Sequence, residues 1–339
     1  MSTHAAVGYH DSLPASDPAS LVDAQVERPE LHPHDLLVRV EAVSVNPIDT
    51  KQRLEVRPDG LRVLGFDAAG TVEAVGDEVT LFAPGDEVFY AGVTNRPGSN
   101  QQFQAVDERI VGRRPRNVSF ADAASLPLTS LTAWECLFDR LGLTAASSGH
   151  LLVIGATGGV GAVMLQLAEV LLPDVQVIAT ASDDERGAWV RRLGADHVVN
   201  HRGDLVEQVL RVAPGGVDWV FSSHSQGQIP AYVDLTRACV HIVAIDNGPA
   251  DVTPLKPKSI SWHWESMFTR ALFQTPDMIE QHFILDRLAD LVEAGQVQPT
   301  TTAVLRPINA ANLRDAHARI ESGRTAGKLV LEGWETPLP

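Results

Sequence analysis

The chain has 339 residues, 44% hydrophobic and 21% charged, with a formal net charge of −16 and a pI near 5.1. That is ordinary globular composition, long enough for two domains each with its own core. The acidic balance disfavours nucleic acid and anionic membrane as partners, because both carry the same sign of charge.

Over the first 125 or so residues, short strands (Leu36–Val45, Gly70–Val75, Gln102–Val106) alternate with turn signals such as Gly76-Asp77 and Pro84-Gly85-Asp86. This predicts an irregular β-barrel. From about residue 150 strand and helix alternate. Strands are predicted at His150–Gly155, Val175–Thr180, His197–Asn200, Val217–Ser222, Cys239–Ile245 and Ser259–Trp264, with helices near 160–172, 184–193, 204–212 and 228–238. Such alternation predicts an α/β, doubly wound, six-stranded parallel sheet. The tail reads as helix (Met278–Ala294), strand (Thr300–Leu305), helix (Ala310–Glu321) and strand (Lys328–Glu332), and is expected to pack back onto the first domain. The cofactor site then falls in a cleft between two lobes. No segment reaches the roughly 18 apolar residues of a membrane span, and no signal peptide is expected. Two cysteines, Cys136 and Cys239, are too few for a disulfide framework and fit a reducing compartment, so the expected location is cytoplasmic.

The most informative run is Gly155-Ala156-Thr157-Gly158-Gly159-Val160-Gly161. A strand, Leu151–Ile154, leads into it. After it, Val160, Val163, Met164, Leu167, Ala168 and Leu171 mark one face of a helix. Glycines allow a tight turn and close approach to a phosphate, and the helix N-terminus offers N–H groups and partial positive charge. Gly158, Gly159, Val160 and Gly161 are therefore the expected pyrophosphate cradle. Within a G-x-G-x-x-G frame the first glycine is replaced by Ala156, which weakens the motif without removing it.

Several separate runs carry a family resemblance: Ser44-Val45-Asn46-Pro47-Ile48-Asp49, Gly65-Phe66-Asp67-Ala68-Ala69-Gly70-Thr71-Val72, Gly85-Asp86-Glu87-Val88, Leu126-Pro127-Leu128-Thr129-Ser130-Leu131-Thr132-Ala133, the glycine turn, and Gly323 to Leu331. Over essentially its whole length the chain resembles the medium-chain dehydrogenase/reductase superfamily. Within that, it is similar to the quinone oxidoreductase branch, the group labelled zinc-type alcohol dehydrogenase-like. The resemblance implies a GroES-like β-barrel catalytic domain over residues 1–126 and a Rossmann domain over 127–265. Residues 266–339 would return to the catalytic domain. It also places Asn46 and Thr132 near the nicotinamide and its ribose. In zinc-dependent relatives a cysteine stands at the position of Asn46, and Gly-His-Glu at Gly65-Phe66-Asp67. Asn and Phe cannot replace a thiolate and an imidazole, and the cysteine cluster of a structural zinc lobe is absent, so no metal is expected. His32-x-His34 and His197-x3-His201 read as solvated loop or strand-end histidines.

Cofactor preference turns on the end of the second Rossmann strand, where an acidic residue selects NAD. Counting back from Leu193-Gly194-Ala195 puts Ala181 there. Ser182 and Arg186 follow and could hold a 2′-phosphate, whereas Asp183, Asp184 and Glu185 add opposing charge; their alternative role is to favour a helix N-terminus, with Asp183 as N-cap. The balance favours NADPH. His201 stands where related reductases carry a phosphate-contacting tyrosine. Ser222, Ser223 and Asn247-Gly248 lie at the carboxyl edge of the sheet and serve either the cofactor or ordinary turn chemistry.

Without zinc, oxidation of an alcohol lacks its Lewis acid, whereas hydride transfer to an electrophilic acceptor needs only modest hydrogen bonding. The expected substrate is a quinone or an α,β-unsaturated carbonyl. Asn46, Asp49, Lys51 and Thr132 are the catalytic candidates, with Arg53 a further donor; for Lys51 and Arg53 a surface role is the favoured reading, and Asp49 could equally be a buried structural hydrogen-bonder. Alternatives are an alcohol dehydrogenase with atypical metal ligands and a low-turnover cofactor-binding sensor. The aromatic edge Trp262-His263-Trp264 suggests a homodimer, since related proteins continue the sheet there across a twofold.

Overall fold

The computed structural model describes residues 3–248 and 251–335. Its elements begin with strands β1 (Thr3–Tyr9), β2 (Val22–Glu27) and β3 (Asp35–Val45), then helix α1 (Pro47–Glu55) and strands β4 (Arg62–Val63) and β5 (Asp67–Val75). β6 (Glu87–Tyr90), β7 (Phe103–Asp107), β8 (Val111–Arg113), α2 (Phe120–Ala124) and α3 (Pro127–Trp134) follow. The alternating part comprises β9 (Gly149–Ile154), α4 (Gly159–Leu171), β10 (Val175–Ala181), α5 (Asp184–Arg192), β11 (His197–Asn200), α6 (Leu205–Val212), β12 (Val217–Ser222), α7 (Ile229–Leu235), β13 (Thr236–Ala244) and β14 (Ser261–Trp264). The tail contributes α8 (Thr269–Leu272), α9 (Glu280–Glu293), β15 (Thr301–Leu305), α10 (Ala310–Glu321) and β16 (Lys328–Glu332).

The chain divides into two compact units, one formed by residues up to Leu128 with those from Phe268, the other by Thr129–Met267. In the first unit β3 is the organising strand. It pairs antiparallel with β5, β7 and β16, so its eleven residues are covered on both edges. The β3–β5 register shifts twice, at Leu37/Val38 and Val40/Ala42, which bends the sheet as bulges do. Gly70 on β5 lies against the Arg39 carbonyl, where a Cβ would come within 2.1 Å of the oxygen. The core includes Val38, Val40, Val43, Ala68, Val72, Val88, Leu329 and Leu331. β16 sets the register that matters for chemistry: Leu329 pairs with Val45, which places Lys328 beside the end of β3.

The second unit is the expected six-stranded parallel sheet, in the order β11-β10-β9-β12-β13-β14. β9 lies centrally because Leu151–Ile154 is apolar on both faces and buried. α4, buried over Gly161–Ala168, covers it with small and aliphatic residues. Together the two units form the α/β architecture expected from the chain.

Candidate functional site

Two constellations carry chemistry, one in each unit. In the second, β9 ends at Ile154 and the chain turns through Gly155, whose φ of +82° suits glycine. Gly158 is the N-cap of α4, and a Cβ there would meet only the Gly155 oxygen at 3.4 Å, leaving the outer side open. At Gly161 a Cβ would come within 2.5 Å of the Gly155 oxygen and 2.6 Å of Ala156 Cα, so only glycine lets the helix start this close to the strand. The N–H groups of Gly159, Val160 and Gly161 precede the first intrahelical bond, from Ala162 N–H to the Gly158 oxygen at 2.9 Å. Such a cradle accepts an anion.

At the end of β10, Ala181 is buried and carries no acid. Asp183 caps α5: it accepts the Arg186 N–H at 2.9 Å, the Ser182 hydroxyl at 2.8 Å and the Arg186 guanidinium at 2.6 Å. The backbone N–H first, then the Ser182 hydroxyl and the guanidinium, hold its carboxyl down at about 2. Arg186 thus faces Asp183 and Ser182, whose Oγ is 3.4 Å from its Nη1. His201 follows β11; burial first, then the charges of Arg202, His224 and Arg186, lower its pKa, which marks a cationic neighbourhood.

One sequence candidate takes another place. Ser222 is wholly buried; its hydroxyl lies 2.7 Å from the Tyr232 hydroxyl and accepts the His224 N–H at 3.2 Å. Its partners are structural, because β12 turns its last side chain inward. The next two residues reach the glycine turn instead. Ser223 Oγ donates to the Ile154 carbonyl at 3.2 Å and lies 2.8 Å from His224 Nδ1, and a Cβ on Gly155 would sit 1.9 Å from that oxygen. His224 went unread in the sequence, where only its place after the fourth strand could have signalled it. Asn247 is exposed after β13. Thr132 is buried on α3.

In the first unit, Asn46 is the N-cap of α1, with Pro47 at N1 and Asp49 at N3. The Asp49 carboxylate accepts the Asn46 N–H at 2.8 Å and the Gly65 N–H at 3.1 Å. Burial dominates its environment and pushes its pKa up to about 7, against the lowering effects of the Asn46 N–H and the Lys328 charge. Asp49 therefore holds loops together.

Asn46, Asp67 and Lys328 meet beside it, with exposures of 1%, 0% and 3%. Lys328 Nζ donates to Asp67 Oδ2 at 2.9 Å and to Asn46 Oδ1. Asn46 Nδ2 donates to the same Asp67 oxygen at 2.8 Å, and the Leu128 N–H closes on Asp67 Oδ1 at 2.7 Å. Phe66 packs on Phe268, with ring centroids 5.0 Å apart. Lys328 belongs to the last motif run, yet sequence spacing gave no sign that it reaches residue 46.

Lys51 lies partly exposed on α1, whereas Arg53 is fully buried and is no surface residue. The Arg53 guanidinium bonds Glu321, the Leu13 carbonyl and His317 Nδ1, tying α1 to α10. His34 is engaged by Glu108 at 3.0 Å and Glu78 at 3.2 Å.

Comparison with known proteins matches this arrangement. Family models described as "Alcohol dehydrogenase GroES-like domain" and "Zinc-binding dehydrogenase" match residues 32–132 and 193–331. A "zinc-type alcohol dehydrogenase-like protein" of Staphylococcus aureus (strain MSSA476) is 43% identical over 304 residues, 88% of this chain and 90% of that protein. The chain belongs to the medium-chain dehydrogenase/reductase superfamily. A crystal structure of a zinc-dependent alcohol dehydrogenase candidate from Rhizobium etli CFN 42 is 45% identical, with a TM-score of 0.95 over 99% of this chain and 100% of that one. The quinone oxidoreductase of Pseudomonas syringae pv. Tomato DC3000 is 25% identical, with a TM-score of 0.82 over 97% and 100%. As a medium-chain dehydrogenase/reductase the protein is an oxidoreductase with a GroES-like domain, and its glycine turn suits a nicotinamide cofactor. No helix among the described residues is long and apolar enough to cross a membrane.

Proposed function

We propose that this is an NADPH-dependent, zinc-independent oxidoreductase that delivers hydride to a quinone or an activated α,β-unsaturated carbonyl. The observation that carries this reading is the ammonium of Lys328, seated between Asn46 and Asp67. Zinc needs thiolate, imidazole or carboxylate lone pairs. Here one neighbour is an amide whose oxygen is occupied, another is a phenyl ring, and the carboxylate already has its cation. The donor set does not fit zinc.

The bound coenzyme supplies the hydride. The N–H groups of Gly159, Val160 and Gly161 face the pyrophosphate, with Gly158 leaving room for it. Ser182, Arg186 and His201 hold the 2′-phosphate, supported by Arg202 and His224 nearby and by the absence of an acid at Ala181. Asp183 competes for Arg186, but a guanidinium has five N–H donors, and this one is a third exposed. Asn46, held by Asp49 and with Lys51 at its margin, serves the acceptor oxygen, and Thr132 of the second unit is a candidate for the nicotinamide ribose. Asn247 stays a candidate for the coenzyme's outer edge.

The protein is further proposed to be cytoplasmic and to dimerise through β14, the sheet edge, where Trp264 is 55% exposed. The test is a steady-state screen of NADPH and NADH against quinones, enones, aldehydes and alcohols, with Arg186→Glu alongside. Quinone or enone reduction with NADPH is expected, and the variant should weaken NADPH binding at least ~10-fold while sparing NADH, consistent with loss of one charge-assisted contact. Alcohol oxidation dependent on added zinc overturns the reading, as does coenzyme binding without turnover of any acceptor.

A further inference from the structure

We infer that Lys328 is a positioning residue, which together with Asp67 fixes the direction of the Asn46 amide so that an N–H, and not the carbonyl, is left to meet a ligand oxygen. This rests on the function proposed above, in which Asn46 serves the acceptor. The argument is one of donors and acceptors. An ammonium has three N–H groups and no lone pair, and a carboxylate has lone pairs and no hydrogen. An amide placed between them has only one satisfied orientation: its oxygen toward Lys328 and its nitrogen toward Asp67. Both contacts are present, from Lys328 Nζ to Asn46 Oδ1 and from Asn46 Nδ2 to Asp67 Oδ2 at 2.8 Å. The third side of the triangle runs from Lys328 Nζ to the same Asp67 oxygen at 2.9 Å and closes the array.

The amide nitrogen has a second hydrogen. Its nearest acceptor is the Ser44 carbonyl at 3.5 Å, the outer limit of a hydrogen bond. In the inferred role a ligand oxygen competes with this long Ser44 contact for that N–H. All three side chains are at least 97% buried, so each is held by packing as well as by charge. Loss of the ammonium would leave Asp67 buried without its counter-ion. The Asn46 oxygen would also lose its ammonium donor, so the amide is no longer held from both sides. Lys328 reaches this place only because β16 pairs with β3 in the register that sets Leu329 opposite Val45.

The test uses Lys328→Met, Lys328→Arg and the double variant Asp67→Asn/Lys328→Met, all in the full-length protein. The double variant removes both charges at nearly constant volume, so it folds where the single methionine variant strands a buried carboxylate. With the acceptor that wild type reduces, kcat of the double variant is expected to fall at least ~10-fold, as for a misplaced catalytic group. The NADPH dissociation constant, read by fluorescence, should stay within about twofold. Lys328→Arg, which keeps charge and donors, should recover part of kcat. A double variant that is stable and turns over at the wild-type rate shows that Lys328 only balances charge, and overturns the inference.

A second readout needs no acceptor: the side-chain amide resonances of Asn46, assigned by their loss in Asn46→Asp. Wild type should show one fixed pair, with one proton shifted downfield by the carboxylate; in the double variant that shift should disappear. Unchanged resonances also overturn the inference. If wild type reduces nothing, the functional reading fails while the resonance test of Lys328 still stands.

Discussion

The glycine turn of the second unit and the Asn46–Asp67–Lys328 cluster of the first recognise charge in opposite ways. The turn uses main-chain N–H groups within seven consecutive residues, and its side chains matter chiefly by being absent. The cluster uses polar and charged side chains from residues as far apart as 46 and 328, and nothing in it works until the sheet has closed. Main-chain recognition is written locally and tolerates drift in the surrounding sequence. Side-chain recognition depends on the register of one strand pair.

The comparison breaks first at Gly161. Gly161→Val puts a side chain where even a Cβ would approach the Gly155 oxygen to 2.5 Å, so α4 must move away from the turn. NADPH binding should fall by more than ~100-fold, since the helix-end N–H groups lose their shared aim; calorimetric titration checks it, and near-normal affinity would mean that the phosphate lies elsewhere.

A second break acts on the cluster. Asp67→Ala leaves the Lys328 ammonium buried without a counter-ion, and should cost about 3–5 kcal/mol of stability. Denaturant unfolding of the variant against wild type measures this, and a cost below ~1 kcal/mol would mean that the pair is solvated.

These two regions also differ in how much of them sequence could reveal. The six strands of the sheet, the helices between them and the turn at 155–161 followed from apolar periodicity and glycine spacing, because each signal is contained in a short window. Asp183 as a helix N-cap was legible for the same reason. The helix α1 was not predicted, although in the structure Asn46-Pro47 with Asp49 at N3 forms a capping pattern. What escaped was long-range. Arg53 looked like a surface cation, but α10 brings Glu321 and His317 against it and buries it. Ser222 looked like a carboxyl-edge ligand until Tyr232 claimed its hydroxyl. Lys328 sat in a family motif with no hint of its partner, because strand register is set by tertiary pairing.

A smaller effect sharpens the contrast through pH. The Asp49 carboxyl is raised from 3.8 to about 7 by burial, so the folded protein favours its protonated form. The associated stabilisation is fully present below about pH 4, declines as pH rises, and is gone above about pH 7, a loss of a few kcal/mol at ~1.4 kcal/mol per unit. Asp49→Asn cannot ionise, so the stability difference between wild type and variant should change across this window and flatten above it. Parallel stability curves from pH 4 to 8 would show that Asp49 is ionised at its ordinary pKa. No comparable effect is expected from the glycine turn, whose recognition groups do not titrate.

The most direct test of the account is NADPH-dependent quinone reduction before and after exhaustive dialysis against a zinc chelator. With the Asp67 carboxylate already paired to Lys328, the rate should be unchanged and added zinc should not raise it. Loss of activity on dialysis, restored by stoichiometric zinc, would contradict the account at its centre.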